Sequence, residues 1–154
     1  MMPSVEESPA VGRIVDGEHR LPLRVYYEDT DAAGIVYYAN YLRFFERGRT
    51  EMLACIGIDH AALLPQGLVY VVAEVALRYR TPGRLGDVLT VATRLERIRK
   101  AGLAVHQRVM RDGHVLVEGQ VAVAFVGPDG RPRRQPDDWI KAFEAIAEGA
   151  LPRA

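Results

Sequence analysis

The residues best placed to do chemistry lie in one short polar run, residues 28–31, which the small residues 32–34 follow. A predicted strand ends just before this run, and a predicted helix begins a few residues after it. The run therefore sets the carboxylate of Asp31 opposite a helix start. Unpaired backbone N–H groups there can bind an oxyanion, and the helix dipole helps to keep a nearby aspartate ionised. A carboxylate and an oxyanion donor together suit acyl transfer.

Simpler structural roles compete with catalysis for these side chains. An aspartate after a strand is commonly a turn former or a helix cap, so Asp31 by itself does not establish a catalytic site. Asp29 and Glu28 are expected to be structural or solvated. The aromatic residues at the helix start fit either an acyl pocket or ordinary core packing. These aromatic residues are Tyr37, Tyr38 and Tyr41.

The sequence gives little support for metal-dependent, serine or cysteine catalysis. The histidines are scattered without the spacing of metal ligands, so we expect no metal site and no cofactor. They are His19, His60, His106 and His114. The chain lacks a Gly-x-Ser-x-Gly nucleophile elbow, and Cys55 has no evident histidine partner. The apolar neighbours of Cys55 predict a small core side chain instead of a reactive thiolate.

The overall charge restricts the classes of partner. Twenty acidic residues balance twenty basic residues in a chain of 154, so a general attraction to nucleic acid or to an anionic membrane is not expected. A polyanionic ligand would need a local basic patch. The candidate is the cluster of Arg97, Arg99 and Lys100, at a connection between two predicted strands, although such clusters are commonly solvated loops.

The predicted elements are one strand, a long helix and then four more strands. The helix extends over about residues 40–56, where apolar residues recur at helical spacing. Asn40 is a candidate cap for its start. Gly48 lies on the apolar side, which predicts close approach to a sheet, and Gly57 predicts the helix end.

Alternating apolar residues and frequent valines predict the strands. The first covers about residues 21–27, and the later ones cover about residues 68–80, 88–98, 103–111 and 115–126. Short connections between the later strands favour antiparallel neighbours, and Asp112-Gly113 predicts a tight hairpin turn.

The two ends of the chain are predicted to lie outside this arrangement. Residues 1–19 show no sustained periodicity and are expected to be a flexible extension, whereas residues 137–154 are expected to form a short helix and a tail. The start of the chain lacks a secretory signal, and no stretch reaches the ~20 apolar residues of a membrane span. These features predict a cytoplasmic protein with one domain.

The predicted sheet is too long for one helix to cover both of its faces. A valine-rich sheet covered on one face would expose a large apolar patch, which association between chains would bury. We therefore expect a homodimer that assembles further to a homotetramer.

The segment from Tyr26 to Tyr41 contains an Asp-x-Asp-x-x-Gly-Ile-Val-Tyr run at residues 29–37. It resembles the active-site segment of hot-dog-fold thioesterases, specifically the 4-hydroxybenzoyl-CoA thioesterase family and its Tol-Pal-associated (YbgC-type) branch. The resemblance continues through residues 45–53 and, more weakly, to about residue 136. It implies an α+β hot-dog fold over residues 20–136, in which an antiparallel sheet of about five strands wraps around one long helix.

The resemblance also implies roles for individual residues. Asp31 matches the catalytic aspartate of the family, as nucleophile or general base, and the backbone N–H of Tyr38 matches the donor that polarises the thioester carbonyl. Many YbgC-type members carry histidine where this chain has Tyr38, whereas the aryl-CoA branch tolerates an aromatic residue there. Substrate binding is assigned to four further residues. They are Tyr37, Asn40, Arg99 and Lys100, the last two for the phosphates of coenzyme A.

The function implied is hydrolysis of an acyl-CoA thioester to a free acid and coenzyme A. Coenzyme A is then part of the substrate, and short aliphatic or lipid-related acyl groups are expected. The nearest alternative enzyme is a hot-dog hydratase or dehydratase, which would need a histidine-containing acid/base pair near Asp31. The other alternative is a noncatalytic acyl-CoA-binding or cell-envelope (Tol-Pal) partner protein.

Overall fold

The computed structural model describes residues 7–149, and in that part of the chain a single antiparallel sheet carries three α-helices. The strands are β1 (Arg13–Val15), β2 (Glu18–Arg24), β3 (Val69–Tyr79), β4 (Val88–Arg99), β5 (Gly102–Arg111) and β6 (His114–Val126). The helices are α1 (Asn40–Cys55), α2 (His60–Leu63) and α3 (Asp137–Ala147). This architecture confirms the expected α+β class, with six strands where about five were predicted.

The strand order across the sheet is β1-β2-β4-β5-β6-β3. The chain leaves β2, forms α1 and returns as β3 at the far edge, next to β6. The later strands follow as hairpins, and the predicted turn forms at Asp112 and Gly113, whose φ angles of 50° and 80° match a two-residue hairpin. The segment between β2 and α1, which contains Asp31, therefore lies in the crossover that connects β2 to β3 at the far edge of the sheet.

Helix α1 approaches the sheet closely at Gly48, as predicted. A methyl group at this position would come within 2.8 Å of Val91 and 2.9 Å of Thr93 on β4. The buried amide of Gln107 on β5 donates to the carbonyl of Phe45 at 2.8 Å. The helix thus rests directly on the middle of the sheet, and it ends where Gly57 adopts a φ of 85°.

The core lies between the helices and one face of the sheet. Alternate residues of β4 and β5 point toward α1 and are buried there, because successive side chains of a strand face opposite sides. They include Leu89, Val91, Val105 and Val109. Helix α3 covers a further part of this face, with Trp139 in edge contact with Phe125 and with Phe143 fully buried.

The sheet begins earlier in the chain than predicted. Residues 1–19 were expected to lie outside the fold, but β1 pairs with β2 across a turn at Asp16 and Gly17, and Ile14 and His19 are buried. A three-residue strand is too short to show alternation, although Asp-Gly is a hairpin signal in its own right. Residues 1–6 of the expected extension and residues 150–154 of the expected tail lie outside the described residues.

Across residues 7–149, the apolar patch that was expected on the uncovered face of the sheet is not found there. The face of the sheet away from α1 carries charged and small side chains, such as Arg94, His106 and Ala122. Four exposed large apolar residues lie instead on the edge strand β3. They are Val71, Val72, Val75 and Tyr79.

Cys55 is exposed at the end of α1, so the prediction of a core side chain was wrong. It lies in the last helical turn, where the neighbouring Leu53 and Ile58 are the residues buried in the core. Partial burial of the thiol, and then the nearby Glu51 carboxylate, raise the pKa of Cys55, which disfavours the reactive thiolate. Among the helices of residues 7–149, none is long and apolar enough to cross a membrane.

Candidate active site

The loop between β2 and α1 folds back on itself through a short pair of extended segments. Thr30 and Val36 form an antiparallel bridge, and the N–H of Asp31 donates to the carbonyl of Ile35 at 2.9 Å. The N–H of Val36 donates to the carbonyl of Gly83 at 2.8 Å, which ties the loop to the segment before β4. These bonds fix the backbone on both sides of Asp31.

The carboxylate of Asp31 stands exposed at the tip of this turn. Its Oδ1 accepts the N–H of Ala33 at 2.8 Å, while its backbone carbonyl accepts the N–H of Gly34 at 3.1 Å. One carboxylate oxygen therefore holds the turn. The Oδ2 atom has no hydrogen-bond partner in the part of the chain that the structure describes, and the residue is exposed to solvent.

Asp29, two residues earlier, has a purely structural environment. Its side chain is buried, and Oδ2 accepts the N–H of Tyr26 at 2.8 Å. Its backbone carbonyl accepts the N–H of Tyr37 at 2.9 Å and the side-chain amide of Asn40 at 2.8 Å. Asp29 thus organises the loop, whereas Asp31 is left accessible.

Tyr38 lies at the start of α1, immediately before the Ala39 N-cap. Over residues 7–149 its backbone N–H has no hydrogen-bond acceptor, as expected for a helix start. Its carbonyl, in contrast, accepts the hydroxyl of Tyr79 at 3.0 Å. The Tyr38 carbonyl is therefore held by Tyr79, while the Tyr38 N–H is available as a hydrogen-bond donor.

A cleft of about 310 Å³ opens beside Tyr38. Three tyrosines line it, and Tyr79 makes edge contacts with Tyr38 and Tyr41 at ring-centroid distances of 6.3 Å and 5.8 Å. The hydroxyl of Tyr41 accepts the N–H of Gly83 at 2.9 Å. Burial raises the pKa of Tyr41, and the Gly83 bond offsets only part of that rise, so the phenol stays neutral. The cleft is an aromatic pocket adjacent to the candidate oxyanion donor.

Tyr37 and Asn40 have local partners in the loop. Asn40 was a candidate helix cap, but its side chain donates to Asp29 and caps no backbone N–H of α1. Tyr37 is exposed and lies edge-on to the Tyr38 ring at 4.9 Å. Hydrogen bonding to Tyr38 raises the pKa of Tyr37. Neither residue lines the aromatic cleft.

Tyr79 is a site residue that sequence reasoning did not identify. It appears in the sequence only as one more apolar residue in the alternation of β3. The same alternation shows that it shares a face with Leu77 and Val75, but only the crossover of α1 brings that face to Tyr38.

Arg99 and Lys100 lie at the other end of the sheet from this loop. Arg99 ends β4, whereas the loop contacts the segment just before Val88, where β4 begins. Eleven steps along a strand span roughly 35 Å. Arg99 lines, with Arg97, a trough of about 810 Å³ on the sheet face away from α1. Within one chain, the basic cluster and Asp31 are not brought together.

Comparison with known proteins places this geometry in a family. The model of the thioesterase-like superfamily matches residues 25–143. The acyl-CoA thioester hydrolase YbgC of Escherichia coli O6:H1 is 39% identical over 127 residues, which cover 81% of this chain and 95% of that protein. The acyl-CoA thioesterase YbgC of Haemophilus influenzae is 42% identical over 114 residues, covering 73% and 84%.

The solved structures agree with the sequence relatives. The crystal structure of a probable thioesterase from Bartonella henselae superposes with a TM-score of 0.74 at 35% identity, covering 77% of this chain and 99% of that one. The match includes the loop that carries Asp31 and Tyr38, because the family model begins at residue 25. The chain is therefore a hot-dog-fold member of the thioesterase-like superfamily.

Proposed function

We propose that this protein hydrolyses an acyl-CoA thioester to a free acid and coenzyme A, with Asp31 as nucleophile or general base. The observation that carries the proposal is the arrangement of one loop. An exposed carboxylate, fixed through one oxygen by Ala33, shares that loop with the backbone N–H of Tyr38, which has no acceptor among residues 7–149. The names of the YbgC relatives supply the substrate class.

Two routes use the same groups. As a nucleophile, Asp31 adds to the thioester carbon and expels the coenzyme A thiolate, and water then hydrolyses the resulting anhydride. As a general base, Asp31 removes a proton from water, which attacks the carbonyl directly. In both routes the Tyr38 N–H stabilises the oxyanion that forms, and neither route needs a metal or redox cofactor.

The acyl group is assigned to the aromatic cleft beside Tyr38. The cleft volume of about 310 Å³ lies at the low end of small-molecule pockets, which favours a short acyl chain. Because the donor is a backbone N–H, a tyrosine side chain at this position is compatible with the reaction. The Tyr38 side chain then contributes to the shape of the cleft.

The nucleotide part of coenzyme A is assigned to Arg99 and Lys100 of a second subunit. Strand β3 is an edge strand of 11 residues with exposed valines, and an unpaired edge of this length is a template for another strand. Antiparallel pairing of two β3 strands about a twofold axis sets the start of one strand beside the end of the other.

The start of β3 lies near the β4–β5 turn, because Val69 pairs with Val126 and the neighbouring Phe125 donates to Ala101. In such a dimer the partner's turn approaches the Tyr79 end of β3, where the aromatic cleft opens. The active site is then completed between subunits. A homotetramer would form from two such dimers.

The test is release of free thiol from a panel of acyl-CoA substrates under steady-state conditions. A thioesterase turns over and liberates coenzyme A. A hydratase or dehydratase alters the acyl chain and leaves the thioester intact, and a binding protein does neither. Absence of thiol release across aliphatic and aromatic acyl groups, with the protein folded, would exclude the proposed activity.

A further inference from the structure

A buried carboxylate surrounded by arginines lies on the sheet face away from α1. Glu18 on β2 is 2% exposed. Its Oε1 is 3.0 Å from the Nε atom of Arg20, and its Oε2 contacts the guanidinium of Arg108 and lies 3.6 Å from Arg94. We call these four residues the Glu18 cluster. They come from three adjacent strands, so the sheet itself fixes their spacing.

The cluster carries more positive charge than its own carboxylate neutralises. A buried carboxylate needs a paired cation, and one guanidinium would suffice for that purpose. Three guanidiniums leave a net charge of two. Within residues 7–149 the three arginines have no other carboxylate within ion-pair distance. Glu118 is directly opposite Arg108 in the sheet, but it pairs with Arg80 at 2.6 Å.

Most guanidinium N–H donors of the cluster have no acceptor among residues 7–149. Each guanidinium carries five N–H donors in a planar fork, and Glu18 accepts from only a few of them. Arg94 is the most open of the three, with its side chain 56% exposed and its nearest contact to Glu18 beyond hydrogen-bond distance. The Arg20 side chain is 40% exposed as well, so donors of the cluster are open to solvent.

We propose that the Glu18 cluster is a binding site for a phosphate group. A phosphate dianion matches the net charge of two, and its oxygens match the forked donors of arginine. Glu18 holds the arginine side chains in place before the ligand arrives, which reduces the side-chain entropy lost on binding. A carboxylate ligand would neutralise only half of the excess charge. The phosphate is therefore the preferred chemistry.

Two sources can supply this group: the phosphomonoester of coenzyme A or free phosphate. Arg94 and Arg99 lie on the same strand, about 16 Å apart at the rise of a β-strand, and Arg99 is one of the two residues assigned above to the nucleotide. Only the identification of the bound phosphate as that of coenzyme A rests on the proposed function. Phosphate binding at the Glu18 cluster does not depend on whether the protein hydrolyses thioesters.

Titration calorimetry with inorganic phosphate, against chloride at equal ionic strength, tests the site. We expect wild type to bind phosphate and Arg94→Gln to bind it roughly tenfold or more weakly, because a charge-assisted hydrogen bond is lost. Arg94→Gln leaves Arg20 and Arg108 on Glu18, so the fold is retained. Arg47→Gln, an exposed arginine on α1 and so on the opposite side of the sheet, is the matched control and should bind like wild type.

Coenzyme A and dephospho-coenzyme A distinguish the sources, with binding as the readout. Tighter binding of coenzyme A in wild type, with the difference lost in Arg94→Gln, assigns the site to the 3′-phosphate. Equal binding of both, with Arg94-dependent binding of inorganic phosphate, assigns it to free phosphate. The proposal is overturned if wild type shows no binding beyond the chloride control, or if Arg94→Gln binds phosphate as wild type does. Thiol release by wild type tests hydrolysis separately.

Discussion

The hydroxyl of Tyr79 donates a hydrogen bond of 3.0 Å to the backbone carbonyl of Tyr38. This bond joins the end of the edge strand β3 to the start of α1, two elements separated by most of the crossover. It fixes the backbone of the residue whose N–H we assign to the thioester carbonyl. The proposed interface and the proposed oxyanion donor therefore meet at one pair of residues.

Replacing Asp31 with asparagine is expected to abolish most turnover while the protein folds and assembles normally. Asparagine keeps the size of the side chain, and its Oδ1 can still accept the Ala33 N–H. It cannot attack the thioester or remove a proton from water, so kcat should fall by ~10²–10⁴-fold. KM should change little, because the Tyr38 N–H and the coenzyme A contacts are untouched. Steady-state kinetics on an acyl-CoA substrate measures both constants.

Asp29→Asn is the matched control for this change. The Asp29 side chain accepts the Tyr26 N–H, and an amide oxygen can do the same, so activity should persist. If Asp31→Asn keeps more than about a tenth of the wild-type kcat with its oligomer intact, a smaller loss than a positioned base typically causes, Asp31 is not the catalytic residue.

Tyr79→Phe should lower kcat modestly and leave the fold intact. The phenyl ring retains the edge contacts with Tyr38 and Tyr41, and only the hydrogen bond to the Tyr38 carbonyl is removed. Loss of one such bond corresponds to a decrease of about 2- to 10-fold. Tyr38→Phe is the control, because it leaves the backbone N–H unchanged. A larger loss in Tyr38→Phe than in Tyr79→Phe would assign the chemistry to the Tyr38 hydroxyl instead.

Reversing the charges of Arg99 and Lys100 together should raise KM for acyl-CoA and spare small thioesters that lack the nucleotide. Both side chains are exposed, so the change should not disturb the core. Arg47→Glu combined with Lys141→Glu, both at exposed positions on helices, makes the same change of overall charge and is the control. Equal losses of activity on acyl-CoA and on the small thioester would assign the basic cluster to folding.

A charge on the edge strand should break the proposed dimer. Val72 is 52% exposed on β3, and Val72→Asp would place a carboxylate in the buried centre of a strand–strand interface. Sedimentation equilibrium should show a dimer or tetramer for wild type and monomer for the variant, with activity lost in parallel. Val88→Asp, equally exposed on β4, should associate normally. A wild-type monomer that is active at micromolar concentration contradicts the proposed assembly.

Folding stability should fall as the pH drops below the ordinary pKa of histidine. Burial lowers the pKa of His19, and the Val11 carbonyl and Glu51 offset only part of this effect. Below about pH 6.5 the unfolded chain therefore gains a proton that the folded chain does not. The decrease in folding stability due to His19 stops once the pH is below the lowered pKa of His19 in the folded protein. Comparing Tm of wild type and His19→Gln from pH 8 to 5 isolates this contribution, and parallel curves would exclude it.

The sequence alone determined the elements that have a strong local signal. Gly48 predicted the close approach of α1 to the sheet, and Asp112-Gly113 predicted the hairpin between β5 and β6, because each depends on a backbone property of the residues themselves. The run from residue 29 to 37 indicated Asp31 and the adjacent Tyr38 as site residues, and their roles stay predictions. Local chemistry and family resemblance suffice for such features.

Only the tertiary structure decided which distant residues meet. Tyr79 reaches Tyr38 because β3 returns to the far edge of the sheet, and Arg99 is separated from Asp31 because it lies at the opposite end of β4. Glu18 was assigned to a flexible extension, yet pairing of β2 with β4 places it beneath three arginines. Strand order and register are set by long-range pairing, which short sequence patterns do not encode.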